Sequence, residues 1–230
     1  LAEEKGEFAV DTETNSLDPH KAELVGISLC IEPGKACYIP LKHDLQKQLN
    51  KDDILKKLKP LLEDKSTKKI GQNIKYDLIV FFHHGIDLSS VEDTMLMSYT
   101  IDAGNHRHNM NVLAEIHLDH KTIKFKDLVG SGKNQITFDK VNIDKATEYA
   151  AEDADITLRL YNKLEGLLED KPTQKKLLED IEYPLVHVLS KVEQNGAKID
   201  KDKLAAHSKE LAKKISDLSS QAFKIAGEEF

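Results

Sequence analysis

Arginine is nearly missing from this chain. Among its 33 basic residues only Arg107 and Arg159 are arginines, and the rest are lysines. A bidentate guanidinium clamp on phosphate or carboxylate therefore has very few candidates. Long apolar runs are missing too, and none approaches the ~20 residues of a membrane span. The N-terminus has no basic region followed by a hydrophobic core, which argues against a signal peptide. Cysteine is scarce: Cys30 and Cys37 flank Pro33-Gly34, and no second pair stands at metal-ligand spacing, so a zinc site is not expected. Without a secretory signal the expectation is two reduced, buried thiols. Excess positive charge is absent as well, since the net charge is −7. A nucleic-acid binder is usually basic, so the global balance argues mildly against that role. An enzyme that gathers cations on carboxylates stays compatible with it. Gly130-Ser131-Gly132-Lys133 lacks the spacing of a nucleotide-binding phosphate loop. There is no internal repeat and no low-complexity tract. The first residue is Leu rather than Met, and the chain reads as a piece excised from something longer.

What is present is a strand-rich first part followed by helices. Glu7 to Asp11, Leu24 to Glu32 and Ala36 to Leu41 read as three strands of a meander, with Pro33-Gly34 as turn chemistry. Asn50 is a helix N-cap for a run with apolar residues at Ile54, Leu58, Leu61 and Leu62, which Pro60 shortens or kinks. Lys68 to Gly71 reads as a fourth strand. Asn73 then caps a helix to about Phe82, closed by Gly85. Val91 to Ile101 and Asn109 to His117 read as helices, and Lys121 to Thr137 as a long loop with short structure. A long helix starts at Asn142 or Asp144 and continues past Leu160. After Pro172-Thr173, one helix runs from about Gln174 to Gln194, and another, capped by Asp200, to about Ala226. The expected fold is α/β, a mixed sheet with helices on its faces and a helical C-terminal extension. The expected domain boundary lies near residue 170.

Three stretches carry the chemistry. Phe8-Ala9-Val10-Asp11-Thr12-Glu13 delivers two carboxylates separated by one residue, and on a strand residues i and i+2 share a face. Two carboxylates side by side are costly unless a cation lies between them, and hard divalent cations favour such oxygen ligands. Asn73-Ile74-Lys75-Tyr76-Asp77 places Asp77 in the first turns of a helix, where the dipole favours negative charge. Tyr149 and Asp153 are four apart on the long helix and share its face. Asp155, two residues on, points elsewhere. Taken singly, each has a plain structural reading: solvated strand carboxylates, a helix-end charge, a half-buried aromatic. Taken together, four carboxylates from a strand and two helices suit two divalent ions roughly 4 Å apart, an arrangement for displacement at phosphorus.

These stretches resemble the three motifs of the tyrosine-containing branch of the DEDD superfamily of 3′–5′ exonucleases. Leu41 onward, His120-Lys121-Thr122-Ile123, Gly132-Lys133-Asn134-Gln135 and Tyr149 to Leu158 are similar to the proofreading exonuclease domain of bacterial DNA polymerase I. That resemblance spans about residues 7 to 165, and residues 181 to 200 resemble the start of the polymerase domain. It implies a ribonuclease H-like fold, an exonuclease domain over residues 1–170, and a truncated start of the polymerase domain over 171–230. It implies that Asp11, Glu13 and Asp153 hold one Mg²⁺ (or Mn²⁺) and that Asp11 and Asp77 hold a second, Asp77 through water. Tyr149 resembles the tyrosine that contacts the attacking water. By the same resemblance Leu17 wedges near the terminal bases, Phe125 stacks on one, and Thr12, Asn73, Tyr76 and Arg107 contact the strand. Without it, Leu17 and Phe125 read as core, and Arg107, His106 and His108 as surface. The implied activity is proofreading removal of 5′-mononucleotides from single-stranded or mispaired DNA 3′ ends, with no polymerase activity in this piece. The implied setting is a bacterial, nucleoid-associated cytoplasmic monomer joined to its own polymerase domain, with no membrane. An RNA-trimming exonuclease and an inactive scaffold remain as alternatives.

Overall fold

The apolar run Phe8-Ala9-Val10 in Glu7–Thr14 builds the central strand of the fold, buried on both faces. The computed structural model of the chain describes residues 1–44 and 48–230. In chain order, a short helix α1 (Ala2–Lys5) leads into β1 (Glu7–Thr14), β2 (Leu24–Glu32) and β3 (Lys35–Pro40). Then come α2 (Lys51–Glu63), β4 (Lys68–Gly71), α3 (Lys75–His83), β5 (Val91–Asp93), α4 (Thr94–Asp102), α5 (Met110–Leu118) and α6 (Phe125–Val129). The helices α7 (Ile143–Glu169), α8 (Pro172–Leu177), α9 (Tyr183–Asn195) and α10 (Lys201–Ala226) complete it, with a wide π-type turn at Leu178–Glu182 between α8 and α9.

The sheet runs β3-β2-β1-β4-β5. β1, β2 and β3 pair antiparallel, while β4 and β5 continue the sheet in parallel with β1. Each face of β1 is buried under a different helical layer. Phe8 and Val10 join Leu78 and Phe81 of α3 and Leu55 and Leu62 of α2. Ala9, on the other face, joins Cys30, Ile70 and the stripe Ala154, Leu158, Tyr161, Leu164 and Leu168 of α7. That stripe repeats at three to four residues, the period of one helix face.

The chain divides into two compact units, Leu1–Gln194 and Asn195–Phe230. The first unit continues past residue 170, because Leu178 and Val186 are buried in its core. The second holds α10, capped by the Asp200 side chain accepting from the Lys203 N–H. Among the described residues no helix is long and apolar enough to cross a membrane.

Several expectations are corrected. Residues 91–93 form a fifth strand rather than the start of a helix, and the helix begins only at Thr94. Asn73 is not the cap of α3: it has a left-handed φ of 61°, and α3 starts two residues later at Lys75. Pro60 lies inside α2, which continues to Glu63, so it does not shorten the helix. The cysteines are not both buried. Cys30 is buried and Cys37 exposed, opposite Ala36 and Leu29 in the β2–β3 register. His108 is buried, not a surface residue, with Nδ1 2.7 Å from Ser98 Oγ and its ring against Tyr99.

Candidate active site

The parity of β1 decides where its end residues go. Ala9, Asp11 and Glu13 fall on the α7 side, so both carboxylates approach the helix that carries Tyr149 and Asp153. Thr12 falls on the opposite side, toward α3, and meets Asp77. Its backbone N–H and its hydroxyl both donate to Asp77 Oδ1, at 2.9 and 2.5 Å. Glu13 is paired with Gly26 of β2. A Cβ at Gly26 would lie 2.1 Å from the Tyr38 hydroxyl, so any larger residue there would have to displace the Tyr38 ring.

Asp77 is fixed by a second device that no local pattern announces. The carboxylate of Asp93, at the end of β5, accepts from the N–H groups of Asn73 (3.0 Å), Ile74 (2.9 Å) and Met95 (2.8 Å). One buried carboxylate thus caps α4 and holds the turn into α3. Asn73 reaches its left-handed conformation in that turn.

The acid groups converge. One carboxylate oxygen from each of Asp11, Glu13 and Asp153 lies within 4.8 Å of the other two, and among the described residues no other such group of potential metal ligands occurs. Asp77 stands outside that triad, held by Thr12, yet its charge is felt at Glu13. Burial, then the charge of Asp153, pushes the Asp11 carboxyl up to about 8. Burial raises Asp153 to about 7, with a hydrogen bond from Tyr149 acting the other way. Glu13 and Asp77 are held well above the usual carboxylate range, by burial first and then by neighbouring carboxylates. The Tyr149 phenol is raised by burial, then by Asp153 and Glu13. Glu13 Oε1 is buried without a hydrogen-bond partner. An orphaned carboxylate oxygen among mutually repelling carboxylates fits divalent cations, whose charge would replace the missing partners.

Above this cluster opens a cleft of about 750 Å³. Asp11, Thr12, Glu13, Leu17, Asn73, Tyr76, Asp77, Phe125 and Tyr149 line it, so most of the residues singled out from the sequence are brought together. Leu17 is 97% exposed and Phe125 42% exposed, which rules out the core reading of both. Phe125 lies parallel to Phe138 at 6.1 Å, and its ring centroid is 5.9 Å from that of Tyr149. The Tyr76 hydroxyl donates to the Ser16 carbonyl at 2.5 Å and sits 2.5 Å from Thr14 Oγ1, fixing the loop that bears Leu17. Arg107 is not brought to the cleft wall. It is exposed on the loop between α4 and α5, next to the anchored His108.

Sequence reasoning missed Gln72, Asn109 and the stretch from Gln135 to Phe138, all of which line the cleft. Gln72 has a signal, since it precedes Asn73. Its amide donates to the His108 carbonyl at 2.8 Å and accepts from Thr94 Oγ1 at 2.5 Å. In the 135–138 stretch only Gln135 has one, as the last residue of Gly132-Lys133-Asn134-Gln135.

A strand-borne pair of carboxylates facing an aspartate and a tyrosine on one long helix defines a ribonuclease H-like nuclease site. The 3′–5′ exonuclease family matches residues 1–169, and the chain belongs to that family. It is 46% identical to DNA polymerase I of Pseudomonas aeruginosa over 99% of its length, and that match takes in 26% of the relative. The chain therefore spans about a quarter of the length of the curated relatives it matches. Among solved structures, NrnC of Brucella melitensis with bound Mg²⁺ has a TM-score of 0.64 at 26% identity, covering 85% of this chain and 89% of that one. The POL domain of Pol1 from M. smegmatis, in complex with DNA primer-template and dNTP, has a TM-score of 0.75 at 20% identity. It covers 99% of this chain and 36% of that one, which is a likeness of fold.

Proposed function

We propose that the cleft is the active centre of a proofreading-type exonuclease that removes 5′-mononucleotides from single-stranded or mispaired DNA 3′ ends. The observation that carries this reading is the convergence of partly buried Asp11 with buried Glu13 and Asp153, with Asp77 behind Thr12. Asp11, Glu13 and Asp153 would hold one Mg²⁺ or Mn²⁺, and Asp11 with Asp77 a second. Such ions, when bound, supply Lewis-acid chemistry: they acidify the attacking water and offset charge on the cleaved phosphate. NrnC with bound Mg²⁺ supports that choice of metal.

The chain's own residues do the rest. A phenol raised above its ordinary ~10 keeps its proton at neutral pH and donates it in a hydrogen bond to Asp153, so the Tyr149 oxygen orients the attacking water by accepting a hydrogen bond from it and does not deprotonate it. Glu13 accepts a hydrogen bond from the same water. Leu17 wedges against the last bases, Phe125 stacks on one of them, and Asn73, Tyr76 and Thr12 face the strand across the cleft. Arg107 contacts the backbone farther from the cut. Residues 1–170 form the exonuclease domain, and 171–230 begin the polymerase domain, which is the partner of this piece. The reading extends to a monomer in a bacterial cytoplasm.

A labelled single-stranded DNA oligonucleotide, incubated with Mg²⁺ or Mn²⁺, should shorten from its 3′ end in single-nucleotide steps. A chelator should stop it. An RNA oligonucleotide of the same sequence should be cut far more slowly. Preference for RNA would favour an RNA-trimming enzyme, which the similarity to DNA polymerase I argues against.

A further inference from the structure

The segment between α5 and α7 supplies Phe125 and residues 135–138 to the cleft, yet few polar contacts hold it to the fold. Among the described residues, the side-chain hydrogen bonds that join residues 120–137 to other elements all end on Glu152. One of its oxygens lies 2.8 Å from His120 Nε2, and the other accepts from the Ile123 N–H at 2.6 Å. Both partners sit in the turn leaving α5, where Asp119 adopts a left-handed φ of 50°, just before Phe125 opens α6. Glu152 itself precedes Asp153 on α7, a helix of 27 residues. The exposed Phe125 ring is thus referenced to the same rigid element that carries Asp153 and Tyr149.

We propose that Glu152 is a positioning residue for the nuclease reaction, tethering the 119–124 turn through His120 and Ile123 so that Phe125 is preset over the site. This inference rests on the reading of Phe125 as a base-stacking residue. A carboxylate that accepts one bond from a ring N–H and one from a backbone N–H fixes both position and orientation of the turn. Without the tether, the turn and the ring must be ordered when substrate arrives, and that cost appears as weaker binding. The chemical step, set by α7 and β1, is left nearly intact.

The test is steady-state digestion of a single-stranded oligonucleotide by Glu152→Ala, Phe125→Ala and the double variant, each with its melting temperature measured. Glu152→Ala should raise KM about fivefold and leave kcat within about twofold. It should add nothing further in the Phe125→Ala background, because the tether acts through that ring. Glu152→Gln should restore most of the KM, since its amide oxygen still accepts from Ile123. If Phe125→Ala raises KM and the two effects add, the tether is overturned and the stacking reading stands. If Phe125→Ala alone leaves KM unchanged, the stacking reading falls and takes the tether with it. Should Glu152→Ala fail to fold, His120→Ala removes one arm of the bridge and carries the same comparison.

Discussion

Thr12 gives both its backbone N–H and its hydroxyl to a single oxygen of Asp77, 65 residues away in the chain, at 2.9 and 2.5 Å. The residue between the two strand carboxylates is therefore the one that orients the third. Thr12→Val keeps the shape and the backbone donor but loses the hydroxyl. A hydrogen bond to a charged group is worth roughly 1.5–3 kcal/mol, so cleavage should slow by about tenfold or more. Thr12→Ser should retain most of the rate. Initial rates on a labelled oligonucleotide check this, and equal rates for Val and Ser would remove the hydroxyl from the argument.

The acid cluster makes a prediction about pH. Asp11 is pushed up to about 8 and Asp153 to about 7 from an ordinary 3.8, in both cases chiefly by burial. Between about pH 4 and pH 8 the folded chain therefore binds these protons more tightly than the unfolded chain. The stability they contribute is present at acid pH and is lost as pH rises through that window. Buried histidines such as His43 and His108 are lowered and act in the opposite sense, so the informative quantity is a difference. The rise in melting temperature caused by Asp11→Asn, without divalent ions, should grow from pH 6 to pH 8.5 and reach about 5 °C. Added Mg²⁺ should raise the melting temperature of the unsubstituted chain increasingly over the same range, and that of Asp11→Asn much less. A Mg²⁺ effect of the same size in both chains would place the ion elsewhere.

Much of this site was legible in the sequence because strand and helix periods are local. The period of two put Asp11 and Glu13 on one face, and the spacing of four put Tyr149 with Asp153. What escaped depends on contacts across the fold. β5 is three residues long with a single buried apolar residue, Val91, so no alternation could distinguish it from the helix that follows. The turn at Asn73 is set by Asp93, 20 residues on, which overrides the capping preference of asparagine. His108 is polar in sequence but is buried by Tyr99 and Ser98.

Tyr149 sits where a general base would be sought, yet burial and the nearby charges of Asp153 and Glu13 raise its phenol and hold the proton on it. On the proposed reading its contribution is then orientation, and misplacing a reactant is costly. Tyr149→Phe should cut kcat between about ten- and a hundredfold. The metal affinity, measured by calorimetry, should stay within about twofold because all four carboxylates remain. The pH–rate profile should keep its shape and move down. Loss of its alkaline limb in Tyr149→Phe would instead give the phenol a titrating role.

Leu17 buries almost nothing in the folded chain, being 97% exposed on the loop after β1. A surface leucine of that kind contributes little to stability, so Leu17→Ala should move the melting temperature by no more than about 1 °C. On the proposed reading its value lies in contact with a base, and losing that contact should raise KM for single-stranded DNA by about fivefold. The loop is held by the Tyr76 hydroxyl, which donates to Ser16 and touches Thr14. Tyr76→Phe keeps the ring in the cleft wall and removes only that tie. It should therefore reproduce part of the Leu17→Ala rise in KM, and it should have no further effect once Leu17 is already alanine. If Tyr76→Phe raises KM equally in both backgrounds, its hydroxyl serves the substrate directly rather than the loop.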